Sequence, residues 1–237
     1  MEEDLDNLNT SYHDEGANTV QGSIEQKKKR FICGLSVKKD TTIWNVVAMP
    51  MLPFITCTIN FYAMAFIPLL LASPDYYDVD RSNLGKATAL TLMWAALLPL
   101  ILTPFMTFVY EGIGRRIPVT YSLLSTNLLI CLMPRVAPSL TMLCALRAIV
   151  GLNNTLTMAA PLISDYIKKE SRGRAVTLNT LFIGLSQIFA TQLLVPITQT
   201  MTFGQAFTLS SIMMLFLTIP VLFMIREPSS SKKALKT

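Results

Sequence analysis

Arg147 demands a chemical explanation before any other residue in this sequence. It sits in Leu146-Arg147-Ala148-Ile149-Val150-Gly151, well inside an apolar run. A guanidinium stays charged and carries several N–H donors, so in apolar surroundings it needs an acceptor, a counter-charge or a wetted cavity. Uncharged polar side chains stand in runs of the same kind. Thr56, Asn60 and Tyr62 fall in the first, Asn154 follows Arg147 two turns later in the fourth, and Asn179 and Gln187 lie in the fifth. Thr56 and Asn60 are four apart and share a helical face; Asn179 and Gln187 fall roughly on one side. Such groups either recognise a ligand through hydrogen bonds or tie neighbouring helices together. Bond-making chemistry has little to work with. Ser186, in Gly184-Leu185-Ser186, would need a base to act as a nucleophile, and the only histidine is His13 in the polar N-terminal stretch. Cys33, Cys57, Cys131 and Cys144 show no metal-ligand spacing. Three of them lie in apolar runs and read as small buried hydrophobes. No enzymatic activity, metal or cofactor is expected.

The elements that position these side chains are membrane-crossing helices. Apolar residues make up 51% of the chain and charged ones only 15%, where a soluble domain carries about a quarter. Mean hydropathy is +0.46. About 20 apolar residues cross a hydrocarbon core of about 30 Å, and six stretches qualify. They run from Ile43 to Ala72, Ala87 to Tyr110, Ile117 to Met133, Ser139 to Ser164, Ala175 to Ile197 and Gln205 to Ile225. Prolines inside them, such as Pro50, Pro53, Pro99, Pro104 and Pro220, are tolerated where neighbouring helices re-satisfy the freed carbonyls. The domain layout is a disordered cytoplasmic tail over 1–42, a six-helix domain over 43–226 and a short cytoplasmic tail over 227–237.

Basic residues set the orientation. Lys27, Lys28, Lys29, Arg30, Lys38 and Lys39 precede the first span; Arg115 and Arg116 follow the second. Lys168, Lys169, Arg172 and Arg174 follow the fourth, and Arg226, Lys232, Lys233 and Lys236 follow the sixth. With six spans all of these face one side, while the other side has only Arg81, Lys86 and Arg135. The crowded side is the cytoplasm, so both ends are cytoplasmic. This distribution also disposes of nucleic acid as a partner, despite a pI near 9.1. The Lys27–Arg30 cluster reads as an orientation signal touching anionic lipid, and Asn9-Thr10-Ser11, being cytoplasmic, as a chance glycosylation match.

Two loops carry more than topology. Glu111-Gly112-Ile113-Gly114-Arg115-Arg116 resembles the signature between helices two and three of the major facilitator superfamily: an acid, then Gly-Arg-Arg three positions later. The family's glycine four residues before the acid is Thr107 here, and its arginine directly after the acid is Gly112. Arg147 followed by Gly151 resembles its helix-four pattern. Asp165-Tyr166-Ile167-Lys168-Lys169-Glu170-Ser171-Arg172-Gly173-Arg174-Ala175 is similar to its passage into helix five, and Arg226-Glu227-Pro228 to its exit from helix six. The Pro-x-acid-x-x-basic motif of mitochondrial carriers and the Asn-Pro-Ala pair of water channels are absent.

The resemblance implies an all-α fold of two inverted three-helix repeats, matching the N-terminal half of a twelve-helix transporter. A second six-helix half or a homodimer partner would supply the opposing wall. It also implies a cytoplasmic gate in which Glu111 and Asp165 pair with Arg115, Arg116, Arg172 and Arg174 around the turn at Gly114. The cavity wall would come from spans one, four and five, making Thr56, Asn60, Tyr62, Arg147, Asn154, Asn179 and Gln187 the candidates to contact a small organic solute. No span contains an acid, and the fifth lacks a Gly-Pro-Gly-rich pattern, which favours facilitated diffusion or symport. The expected function is solute transport by alternating access in a lipid bilayer; the alternative is a non-transporting six-helix scaffold subunit. The topology predicts that Arg115→Cys and Arg135→Cys label from opposite faces of sealed vesicles. Labelling of both from one face would overturn the six-span reading.

Overall fold

Backbone N–H and C=O groups find no water in hydrocarbon, so each apolar run must close its own hydrogen bonds by coiling. In the computed structural model, which describes residues 31–32, 34–38, 41–159 and 162–225, each of the six runs is helical over most of its described length. The spans are α1 (Ile43–Ala72), α2 (Arg81–Ile113), α3 (Arg116–Leu132), α4 (Leu140–Ala159), α5 (Arg172–Ile188) and α6 (Phe203–Met224). A short helix, Leu162–Tyr166, extends the fourth span. The fifth continues through a π-helical stretch, Phe189–Leu194, into a last turn, Val195–Thr198. Pro196 cannot donate to the carbonyl one turn back and crowds it, which a wider turn accommodates. Helix α1 runs unbroken through Pro50, Pro53 and Pro68.

Two expectations change at the helix ends. Arg81 and Lys86 belong to the first turns of α2 rather than to the preceding loop, because the helix begins six residues earlier than the apolar run. The tail expected to be disordered over 1–42 is ordered where it is described: β1 (Phe31–Ile32) and β2 (Leu35–Ser36) pair antiparallel, with Gly34 at φ 75° in the turn. Leu35 and Val37 lose their exposure against the α4–α5 connection, and that partner is invisible to a local reading of composition. Residues 1–30 and 226–237 lie outside the described residues.

The most extensive packing joins α2 to α4 and α1 to α5; α3 packs on α4 and α6, and α6 on α1. Exchanging the first three helices with the last three maps this pattern onto itself, since α2–α4 becomes α5–α1 and α3–α4 becomes α6–α1. An odd number of helices per repeat turns the second repeat upside down, giving two inverted three-helix units. Each end of the bundle is closed by its own contacts. Asn45, in the first turn of α1, donates to the Met224 carbonyl at the end of α6 (2.7 Å), and the loop before α3 meets the loop before α5. At the other end the Tyr77 hydroxyl donates to the Met133 carbonyl and the Gly204 amide to the Tyr76 hydroxyl. The alternation demanded by six spans is thus present in space as well as in charge.

Lipid tails remove most of the hydrophobic drive between helices, so association depends on close packing and interhelical hydrogen bonds. The tightest approach is at Gly151, where an added Cβ would run into the main-chain carbonyl of Ala95 on α2. We predict that Gly151→Ala destabilises the bundle by about 1–3 kcal/mol in detergent unfolding. Adding Ala95→Gly should restore nothing, because the obstacle is backbone; an unchanged Gly151→Ala protein would show that the two helices can part at no cost.

Candidate functional site

Arg147 lies in the seam between α4 and α1 with 1% of its surface exposed, the largest of the fully buried side chains. Its Nη1 donates to Oδ1 of Asn60 at 3.4 Å, while its Nε has no hydrogen-bond partner. Asn60 is half-buried, and its own amide reaches only the Met64 sulfur, at 4.0 Å. A buried guanidinium therefore rests on one weakly held neutral amide, while the acids of the spanning helices, Glu111 and Asp165, lie at the cytoplasmic end of the bundle.

Two turns nearer the cytoplasm, Asn154 is half-buried with an unpartnered Oδ1. Asn179 on α5 has the same character and opens into a cavity of about 50 Å³ between α1, α4 and α5. Met49, Leu52 and Pro53 from α1 and Thr157 and Met158 from α4 complete most of its wall. This void, near the cytoplasmic end of the seam, has room for one or two water molecules, and Asn179 is the one sequence candidate in its wall.

The other candidates go elsewhere. Thr56 is buried, with its hydroxyl bonded to the Leu52 carbonyl one turn back in its own helix (2.8 Å). Tyr62 is wedged among Phe66, Phe207 and the Thr198 hydroxyl, which it meets at 3.1 Å, so it ties α1 to the ends of the fifth and sixth spans. Gln187 is exposed. Eight residues of helix leave it about 80° away from Asn179 around the axis, enough to face outward.

At the cytoplasmic end, Gly114 closes α2 at φ 86°, a conformation that admits glycine and penalises a side chain. The turn it permits brings Arg115 Nε to 2.7 Å from Asp165 Oδ2, both largely shielded at 21% and 12% exposed. Among the described residues, Lys38 and Arg172 are the other cations acting on Asp165. The expected partnership of Glu111 is not formed; it is exposed and joins no ion pair among the described residues. Arg116 is exposed, and Arg174 donates to the Gly34 carbonyl at 3.4 Å instead of to an acid.

A second polar seam escaped the sequence reading. Asn153 donates to Ser125 at 2.8 Å, and the Thr157 and Ser122 hydroxyls meet at 2.7 Å, joining α4 to α3. The Tyr110 hydroxyl also bonds the Leu156 carbonyl, and Ser211 on α6 donates to the Asn127 carbonyl on α3. The available signal was spacing: Ser122 and Ser125, like Asn153 and Thr157, repeat at three or four residues and so stack on one helical face. Asn153 and Asn154 are adjacent in sequence yet, about 100° apart around the axis, serve different faces of α4.

Six apolar helices in two inverted triplets, with a glycine-turned loop salt-bridged to the acid before helix five, agree with a comparison against protein families. The family model of the Major Facilitator Superfamily matches residues 51–237. The chain belongs to this family. No curated protein matches the sequence. Membership makes it a multi-pass integral membrane protein of the secondary-transporter kind.

A double-mutant cycle on Arg115→Ala and Asp165→Ala should give a coupling of about 1 kcal/mol, in the range for contacting pairs. Reversing both charges, Arg115→Asp with Asp165→Arg, should recover stability that either single change loses. Strict additivity would show that the pair holds nothing.

Proposed function

We propose that this facilitator moves a small organic solute across its membrane by alternating access, through the seam of α1, α4 and α5. The observation that carries the reading is the state of Arg147. A lone charge at such a depth costs about 2.5–3.5 kcal/mol on insertion scales, and a helix held only by packing would not keep it without a partner. Its one hydrogen bond among the described residues goes to a neutral amide that is itself half-buried. Asn154 and Asn179 continue the line of unpartnered oxygens toward the cytoplasm. Polar atoms left without partners along one seam are what a passing or bound solute would satisfy.

In this reading the Arg115–Asp165 pair is part of the cytoplasmic gate, with Gly114, Arg116, Arg172 and Arg174 shaping the loops and Glu111 kept in reserve at the surface. Helices α2 and α5 are the least covered of the six and turn most of their apolar surface outward. That leaves their faces for lipid and for a second six-helix half or a second copy, which would form the opposing wall.

The test is uptake into proteoliposomes, with solutes chosen by a thermal-shift screen, since a ligand at 100 times its Kd stabilises by about 2.7 kcal/mol. Arg147→Ala should insert normally and lose uptake about tenfold or more, a barrier change of ~1.4 kcal/mol. Unchanged uptake by Arg147→Ala would remove Arg147 from the mechanism, and absence of uptake for every stabilising solute would defeat the transport reading itself.

A further inference from the structure

The chain ahead of the first span is bonded to the loop that carries Asp165. The Lys38 amide donates to the Tyr166 carbonyl and the Lys168 amide to the Ser36 carbonyl, both at 2.9 Å, so that Val37 and Ile167 face one another as an antiparallel bridge. The Ser36 amide donates to the Ser171 hydroxyl at 3.1 Å, and the Thr41 hydroxyl to the Tyr166 carbonyl at 3.2 Å. Leu35, Val37, Tyr166 and Ile167 are all buried around this bridge. The Lys38 ammonium donates to the Ser164 carbonyl at 2.7 Å, one residue from Asp165, and acts on that carboxylate together with Arg115 and Arg172.

We infer that residues 34–38, together with Thr41, are a working part of the cytoplasmic gate, with Lys38 the positioning residue that holds the Asp165 loop against Arg115. The inference rests on the transport reading above. A carboxylate at a loop can swing between several cations, and its pairing is selective only if the loop is fixed. Here the loop is fixed twice, by the ion pair to the α2–α3 turn on one side and by the strap on the other. Main-chain bonds set the height of the loop, and the ammonium, held on the Ser164 carbonyl, adds positive charge beside Asp165. The same strap ends at Thr42, whose N–H and hydroxyl both bond Asn45 Oδ1 at the start of α1 (3.0 and 2.6 Å). A movement of the gate loop is therefore transmitted to the first turn of a seam helix without passing through the bilayer.

The experiment compares Lys38→Ala, Lys38→Arg and Lys38→Pro in the full chain, reading uptake kinetics and amide hydrogen exchange on the same preparations. Lys38→Ala should lower the maximal uptake rate about threefold with KM within about twofold and the amount in the membrane unaltered, as loss of an exposed charge contact warrants. Lys38→Arg should restore most of the rate. Lys38→Pro, which removes the donor to Tyr166, should also make the Lys168 amide exchange about tenfold faster. A Lys168 amide already unprotected in the unaltered protein would overturn the docked strap. Uptake by Lys38→Ala equal to that of the unaltered chain would overturn the positioning role. Both differ from failure of the transport reading, in which the unaltered chain moves no solute at all.

Discussion

A polar group immersed in hydrocarbon has no solvent to fall back on, and this constraint organises the whole molecule. It forces each span to coil, and it decides how the coils meet. Where a soluble bundle would rely on expulsion of water, this one relies on a backbone approach at Gly151 and on bonds such as Asn153 to Ser125 and Ser211 to Asn127. Individually these are worth on the order of 1 kcal/mol or less. Their distribution matters more than their strength, because they bind α3 to both α4 and α6, whereas Arg147 in the α1–α4 seam makes a single hydrogen bond among the described residues.

The two seams of α4 thus have opposite characters. One is tied by side-chain hydrogen bonds, Asn153 to Ser125 and Thr157 to Ser122. The other holds a guanidinium on a single neutral acceptor and two asparagine oxygens with no donor. A helix locked along one side and under-satisfied along the other can change its second set of partners without losing its place in the bundle. The inverted arrangement of the repeats gives α1 the mirrored position, packed on α5 and α6 while facing α4.

Much of this was legible in sequence because the signals are local. Apolar length specifies a span, lysine and arginine counts specify sidedness, and Gly114 beside two arginines specifies a tight cytoplasmic turn. What was illegible depends on rotation about helix axes and on distant partners. Nothing nearby distinguishes Asn153, which ties helices together, from Asn154, which does not. Gln187 was placed with Asn179 by approximate spacing, and the accumulated angle turned it outward. Tyr62 looked like a ligand contact, yet its ring had aromatic partners on α6 that adjacent residues could not reveal. The segment before the first span looked unstructured because its ordering partner, Tyr166–Ser171, is more than a hundred residues away.

The π-helical stretch Phe189–Leu194 has a geometric effect beyond easing Pro196. A wide turn takes up one residue more than an α-turn, so everything after it is advanced by about 100° around the axis. That phase shift is what points Thr198 inward, to meet the Tyr62 hydroxyl instead of the acyl chains. The fifth span consequently presents two different faces to α1, one below the irregularity and one above it, from a single continuous rod.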